Sequence, residues 1–430
     1  TLGASGDTIQ LACGASQTGF GRTGTVNWDT TAKTASFTAV SGNGYFINTT
    51  SGAITVTLPA SPSAGDIVSF ADYTNTWATN NVTVGRNSQP IGGITADATL
   101  STTGQSVTFV YVDGTEGWKN VQDSTSNVVG TPPFIQATGG TITTCGDYKI
   151  HTFTSPGTFT VCATAVVCGP TRNIVSYLVV AGGAGGGGSP GASDGGGGGG
   201  AGGFREYRAP LSGCYSVSPL NGSPPITVTA TGYPITVGAG GAGGAGPGQH
   251  GTNGSNSVFS TTTSAGGGYG MGNIPASSSG SGGSGGGVRG GGGPFSRGSG
   301  NTPPVAPPQG NAGGWGGSGS NPNPQSPDNM AGGGGGATVG GFNATSTTGG
   351  AGGTGATTSI SGSPTAYAGG GGGEGDTGGA GGTGGGGTGG SFPGPTAGAS
   401  GTANTGGGAG GGASAGAGGS GIVIIRYKYQ

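Results

Sequence analysis

The sequence predicts an all-β protein whose larger part is built from backbone rather than from side chains. Three observations lead there. Short runs of alternating apolar residues fill the first third of the chain. No 3.6-residue period is sustained anywhere, so essentially no α-helix is expected. And 114 of the 430 residues are glycine, most of them between 182 and 421, in a region that has an apolar strand at each end.

Residues 1–130 read as an N-terminal β module, a sandwich or a barrel-like fold. "AITVTLP" places Ile54, Val56 and Leu58 on one face. "DIVSFADY", "NVTVGR" and "SVTFVYVD" repeat the alternation, and "SPSAGD" and "DGTEGW" supply turns between them. Short strands with regular turn signals are the mark of such folds.

Residues 131–181 read as a small β platform. "DYKIHTF" and "GTFTV" flank Ser155-Pro156-Gly157, which suits a tight hairpin turn. "IVSYLVV" follows as a buried strand. A closing strand over 422–430, "IVIIRYKYQ", is expected to complete the platform.

Residues 182–421 are glycine-rich, broken by islands such as "FREYRAP", "GYPITVG", "NTPPVAPPQGNAGGWGG" and "TSISGSPTAYAGG". Collagen needs glycine strictly at every third position, and this chain does not keep that period. Charge does not keep the chain swollen either: only 6% of residues are charged and the net charge is -2. Ordering glycine is entropically costly, and few side chains are present to offset it. What remains is one N–H and one C=O per residue. Extended threefold helices of the polyproline II type, packed side by side, satisfy both groups through their neighbours. The region is therefore expected to be a bundle of polyglycine II-type helices, with the islands as end loops. A flexible linker is the competing reading. It gives no reason for an apolar strand at both ends, whereas a bundle needs its entry and exit anchored to a core.

The near-neutral balance, with scattered Arg and Lys, excludes nucleic acid as a partner. No apolar run approaches the length of a membrane helix, so no membrane insertion is expected. The chain opens on Thr1, which reads as a processed form or a fragment.

Catalytic chemistry has little to draw on, and the expectation is a protein that is not an enzyme and holds no metal or cofactor. His151 lies in a predicted strand, where it faces a cross-strand neighbour, and His250 lies in a glycine-rich loop. Neither builds a nucleophilic triad. Glu374 and Asp376 in "GGEGDTGG" are too few for a calcium site and read as a solvated loop. Asp66, Asp72, Asp97, Asp113 and Glu116 offer no spacing that selects a glycosidase pair. The Asn-x-Ser/Thr triplets at Asn48, Asn81, Asn221, Asn253 and Asn343 are expected by chance in a chain this rich in Ser and Thr.

The cysteines, Cys13, Cys145, Cys162, Cys168 and Cys214, form no CxxC pair. A hairpin pairing Thr154 with Thr158 would set Cys145 across from Val167, beside Cys168. That gives Cys145–Cys168 as a disulfide, with Cys162–Cys214 as the remaining pair. Free thiols are the equal alternative.

Two stretches carry a resemblance. "GNGYFINTTSGAITVTLPASPSAGDIVSFADYTNTWATNNVTVGRN", with "QSVTFVYVDGTEGWKNV", is similar to β modules of tail-fibre and structural proteins of marine phages, cyanophages above all. "YKIHTFTSPGTFTV", "VSYLVVAGGAGGGG", "GGGGAGGFRE", "YPITVGAGGAGG" and "GGSGIVIIRYK" resemble glycine-rich phage fibre proteins. They also resemble the tip adhesins of T-even-like long tail fibres. The resemblance implies a virion fibre, extracellular, with a polyglycine bundle whose end loops bind a receptor. The implied partners are copies of itself, as a homotrimer or fibre assembly, other virion proteins, and a host surface glycan or outer-membrane protein. The alternatives are a purely structural fibre or decoration protein, or a cellular surface filament built from phage-like modules. The N-terminal β module has no counterpart in the T-even plan, and the loops differ.

A shaft of glycine helices is smooth, so recognition must lie on the islands. Aromatics and Arg most often dominate binding energetics. The candidates are Tyr269, Met271, Phe295, Arg297, Trp315 and Met330. Trp315, between glycines in "GGWGG", is either a sugar-stacking aromatic or a plug over a bundle end. Phe204, Tyr207, Tyr233, Ile235 and Val237 are assigned to the scaffold.

Overall fold

Alternation in the first third does become strands, but they pair in an unexpected way. The computed structural model describes residues 26–124, 134–165, 170–190, 194–213, 215–246, 248–273, 278–291, 295–317, 329–394 and 396–430. They fall into two units, Thr1–Gly130 and Thr131–Gln430, so the platform and the glycine-rich region share one unit.

In the first unit the strands are β1 (Asn27–Lys33), β2 (Phe37–Thr38), β3 (Asn43–Ile47), β4 (Ile54–Thr57), β5 (Ile67–Asp72), β6 (Val82–Gly85), β7 (Ala98–Leu100), β8 (Ser106–Tyr111) and β9 (Trp118–Ser124). They form two sheets, ordered β1-β3-β5-β8-β9 and β2-β4-β6-β7. Successive strands from β1 to β6 alternate between the sheets and pair in parallel within each, like coils of a solenoid. The last three close the sheets with antiparallel pairs. Ile54, Val56 and Leu58 bury together, with Phe70, Trp77, Phe109 and Trp118 in the same core.

The second unit begins with β10 (Gln136–Thr138), β11 (Thr141–Cys145), β12 (Tyr148–Phe153), β13 (Gly157–Ala163), a short 3-10 turn at Pro170–Asn173, and β14 (Ile174–Val180). It continues with β15 (Phe204–Tyr207), β16 (Ile226–Thr227), β17 (Gly232–Thr236), β18 (Ser257–Phe259), β19 (Thr262–Ser264), β20 (Ala356–Thr358), β21 (Thr365–Tyr367) and β22 (Ile422–Lys428). One sheet is ordered β10-β13-β17-β18-β19. The other is ordered β11-β12-β22-β14-β15, with β16 also on β14, and β20 and β21 pair separately.

The hairpin expected at Ser155-Pro156-Gly157 does not form. β12 pairs with β11 and β22, whereas β13 pairs with β10 and β17, so this turn carries the chain from one sheet to the other. The physical reason is burial. Phe153 and Phe159 both enter the core between the sheets, where a flat hairpin would leave one face of each strand uncovered. Gly139 makes the other crossing. Its φ is +107°, and a Cβ there would overlap the carbonyl of Thr158, so only glycine fits. The cysteine geometry built on the hairpin goes with it: Cys145 lies across from Tyr148 in the β11–β12 pair. Cys145 and Cys162 are free thiols, and Cys13, Cys168 and Cys214 lie outside the described residues.

β14 and β22 pair antiparallel from Ser176↔Arg426 to Val180↔Ile422. Both run apolar along nearly their whole length because both faces of their sheet are covered. Val175, Tyr177, Val179, Val423 and Ile425 face the other sheet. Leu178, Val180, Ile422 and Ile424 face a cluster containing Ala201, Ala337, Ala356 and Ala368 at the root of the glycine bundle.

The bundle itself shows a threefold pattern. Along 181–188, the amides of Ala181, Ala184 and Gly187 donate to Gly203, Gly200 and Gly197. Those of Gly182, Gly185 and Gly188 donate to Ser255, Thr252 and Gln249, and those of Gly183 and Gly186 to Gly419 and Gly416. The carbonyls of the same run accept from three further runs: Gly267 and Gly270, Gly241 and Gly244, and Ala409 and Gly412. Bonding direction therefore rotates with a period of three residues, as a polyproline II-type helix requires. One run has six neighbours, three accepting and three donating, which is hexagonal packing. Glycine is needed because the runs are so close: a Cβ on Gly197 would overlap the carbonyl of Gly287. Where alanine recurs every third residue, at Ala239, Ala242 and Ala245, all three are exposed on the outside.

Gly197→Val is expected to lower stability by about 3 kcal/mol or more, the upper end of overpacking, because backbone has nowhere to move. Gly394 is exposed, with open space at its Cβ position. Gly394→Ala should leave stability within about 0.5 kcal/mol. Thermal unfolding and protease resistance of the two variants check this; equal behaviour would contradict the lattice.

Candidate functional site

Side chains are scarce on the bundle, so the few that reach its surface define the candidate site. Three neighbouring runs, 295–301, 309–317 and 339–344, form one edge. Gly313 N donates to Gly298 O at 3.0 Å and Gly341 N to Ala312 O at 2.9 Å. On this edge the Arg297 guanidinium lies 5.5 Å from the centre of the Trp315 ring. Arg297 is exposed and Trp315 half-buried. Trp315 is fixed by its backbone: its N–H donates to Asn343 Oδ1 at 3.0 Å and its carbonyl accepts from Ala344 N at 2.9 Å. Phe342, in the adjoining run, is 53% exposed, and Val339 is also exposed. The result is a strip of one cation and apolar groups along the edge. Arg297 Nη1 donates to Gly313 O at 3.5 Å, which leaves its other guanidinium donors for a ligand beside the indole.

The other candidates separate. Tyr269 is half-buried, its ring 5.3 Å from that of His250, with its N–H donating to Asn253 Oδ1. Phe295 lies under the Arg289 guanidinium at 4.4 Å, and Arg289 pairs with Asp194 at 3.4 Å. Met271 and Met330 do not belong to a surface. Met271 is fully buried, and Met330 is buried with its Sδ accepting from Asp376 N. Both fill lattice positions as compact, flexible apolar groups. Phe342, Val339 and Asn343 were missed in the sequence, although "GGFNA" has the same signal as "GGWGG": a large side chain set among glycines and small residues.

The remaining polar groups serve the fold. His151 is buried, and burial pushes its pKa below the usual histidine value. In the neutral ring Nδ1 donates to Gly139 O at 2.7 Å and Nε2 accepts from Tyr427 Oη at 3.0 Å. His250 Nδ1 accepts from Gly272 N. Asp66, Asp72, Asp97 and Asp113 accept from backbone amides of Ser63, Trp77, Arg86 and Thr115 respectively, and Glu116 pairs with Lys119. No group of three or more His, Cys, Asp or Glu able to hold a metal occurs among the described residues. No helix is long and apolar enough to cross a membrane among them.

Glu374 departs from the expected solvated loop. It is fully buried inside the bundle, while Asp376 is exposed. Its backbone N donates to Gly196 O, and its Oε2 accepts from Gly196 N at 2.9 Å. The carboxyl thus stands where a neighbouring carbonyl would stand in the regular lattice. Burial pushes its pKa up from the ordinary 4.5. Glu206 is also buried, accepting from Ser218 N and the Thr358 hydroxyl, and its pKa is likewise raised by burial.

A buried acid with a raised pKa favours the protonated form in the folded state. Its stabilising contribution is complete below about 4.5 and is lost as pH rises through the folded pKa. As pH rises above about 4.5, Glu374 and Glu206 therefore pull Tm down, while His151 and His250, whose pKa values burial lowers, pull it up. Glu374→Gln keeps an acceptor for Gly196 and should remove part of the downward pull, raising Tm near pH 7 and not at pH 4. An unchanged slope would contradict the burial argument.

A family model described as a glycine-rich domain matches residues 152–428. No curated protein matches the chain.

Proposed function

Since this chain belongs to the glycine-rich domain family, with more than half of its length inside the family's boundaries, we propose that it is a virion fibre protein acting as a receptor-binding adhesin. In this reading it attaches a phage to the host cell through side chains carried by the glycine bundle. The receptor is a host surface glycan or an outer-membrane protein. The chain sits in a tail fibre or surface appendage, associates with itself as a homotrimer, and joins other virion proteins.

One observation supports this most directly. Among the described residues of the bundle few large side chains face outward, yet Arg297, Trp315 and Phe342 occur on adjoining runs of one edge. A strip of this composition matches binding hot spots, which are rich in Trp and Arg. It costs little entropy on binding, because its backbone is already held by the lattice. The phage-fibre resemblance of the β module and of the glycine motifs supplies the context.

Trp315→Ala should then reduce adsorption to host cells more than tenfold without changing the fold. An anchoring aromatic is worth about 2 kcal/mol or more when truncated. Wild-type adsorption by a folded Trp315→Ala variant would remove this residue from the site. Wild-type adsorption after unrelated sequence replaces every island would leave a purely structural fibre or decoration protein as the better reading. Light scattering should give three times the chain mass for the intact protein; a stable monomer at micromolar concentration contradicts the trimer.

A further inference from the structure

Arg205 differs from the other buried arginine of its unit. It lies in β15 and is 5% exposed. Its Nε donates to Ser223 Oγ at 3.0 Å. Among the described residues its two terminal nitrogens have no hydrogen-bond acceptor, and no carboxylate pairs with it. Arg426 is 3% exposed but satisfied: it donates to the carbonyls of Ser212 and Ile360 and lies 4.6 and 5.3 Å from the rings of Tyr148 and Tyr215. The Arg205 side chain is held at Nε while its terminal nitrogens reach the solvent, so a preoriented fork of donors is open to a ligand's acceptors.

Arg205 lines a cavity of about 250 Å³. The rest of the wall is neutral and mostly apolar, from Pro224, Ala265, Pro303 and Val305, with a few polar groups from Asn256, Thr261 and Thr263. Thr261 and Thr263, both exposed, belong to the β18–β19 hairpin and keep the cavity open to solvent. Asn256 uses its Oδ1 to accept from Gly266 N. Gln309 is buried and fixed at both ends of its amide, accepting from Ala265 N and donating to Pro303 O, so this part of the wall is rigid. The site is preformed and small, with one cation, a few neutral polar groups and an apolar wall around the same space.

We propose that this cavity binds one acidic monosaccharide unit, a sugar carrying a single oxyanion, with the anion on Arg205 and the sugar hydroxyls on the Thr and Asn groups. The planar fork of the guanidinium matches a carboxylate or a sulfate ester through paired N–H···O bonds. A neutral sugar offers Arg205 no anion, and a bare inorganic anion leaves the apolar wall and the threonine hydroxyls without contacts. The site is separate from the Trp315 strip and stands whether or not that strip contacts a host.

The test is calorimetric titration of the intact protein with glucuronate, glucose 6-sulfate, glucose and inorganic sulfate. Glucuronate or glucose 6-sulfate should bind saturably at one site per chain, and the tighter of the two identifies the anion. Glucose and inorganic sulfate should each bind at least tenfold more weakly. Arg205→Gln should weaken the acidic sugar at least tenfold. Because Arg205 is buried, Thr263→Trp is the second variant: it fills the mouth from an exposed position and should give the same loss with Tm unchanged. No saturable binding, equal affinity for glucose, equal affinity for inorganic sulfate, or full affinity in folded Thr263→Trp would each overturn the proposal.

Discussion

In the glycine-rich unit, every peptide group must find its hydrogen-bond partner on another run, at a separation that leaves no room for a side chain. The rest of the structure depends on this constraint. A buried amide left without an acceptor costs about 1–3 kcal/mol, so gaps in the pattern are not tolerated cheaply. The run 181–188 meets the requirement with three donor directions and three acceptor directions. Glycine is there for contact distance more than for unusual torsion angles. Alanine enters where a methyl has a place, on the outer face at Ala239 and Ala242 or packed inside at Ala184 and Ala409. Charge is scarce for the same reason, since a lattice of dipoles already paired with each other has little to offer an ion. Glu374 is the exception, and it is accommodated by imitating a backbone acceptor.

Such a lattice has no hydrophobic core of its own, and its cohesion is borrowed at one end. The β11-β12-β22-β14-β15 sheet has one face on a second sheet and the other on the alanines of the bundle root. This double coverage explains why β14 and β22 are apolar along almost their whole length. The polar exceptions on these strands are handled individually. The Ser176 hydroxyl bonds to Ser212, and Arg426 is enclosed by two carbonyls and two tyrosine rings.

Much of this was legible in the sequence because it rests on local repetition. Period two marked Ile54, Val56 and Leu58 as one buried face, and uninterrupted apolar runs marked the two anchoring strands. Glycine content, with little charge and no collagen period, left packed threefold helices as the arrangement able to satisfy the backbone. What escaped depends on how distant segments meet. Ser155-Pro156-Gly157 is as good a turn between sheets as within one, and only the shared burial of Phe153 and Phe159 decides between them. Glu374 looked solvated because its neighbours are glycines; which of three directions it takes depends on where Gly196 lies. Met271 and Met330 read as surface groups in the sequence, yet interruptions of the same kind place Trp315 at the edge and these two inside. In a threefold run, a shift of one residue turns a side chain by a third of a revolution, and no local pattern records the starting angle.

β22 lies between β12 and β14, at the centre of its sheet rather than at an edge. The whole glycine bundle is thus an excursion between two strands that end as immediate neighbours, and the second arrives some 240 residues after the first. Loop closure over that distance adds to a lattice whose contacts are themselves remote in sequence, the condition associated with slow folding. During synthesis the central slot stays open until residue 428 has emerged. A nascent molecule therefore exposes two unsatisfied strand edges, β12 and β14, of the kind that invite pairing with another chain. β22 thus acts as a latch whose closing has to wait for all the glycine runs that precede it.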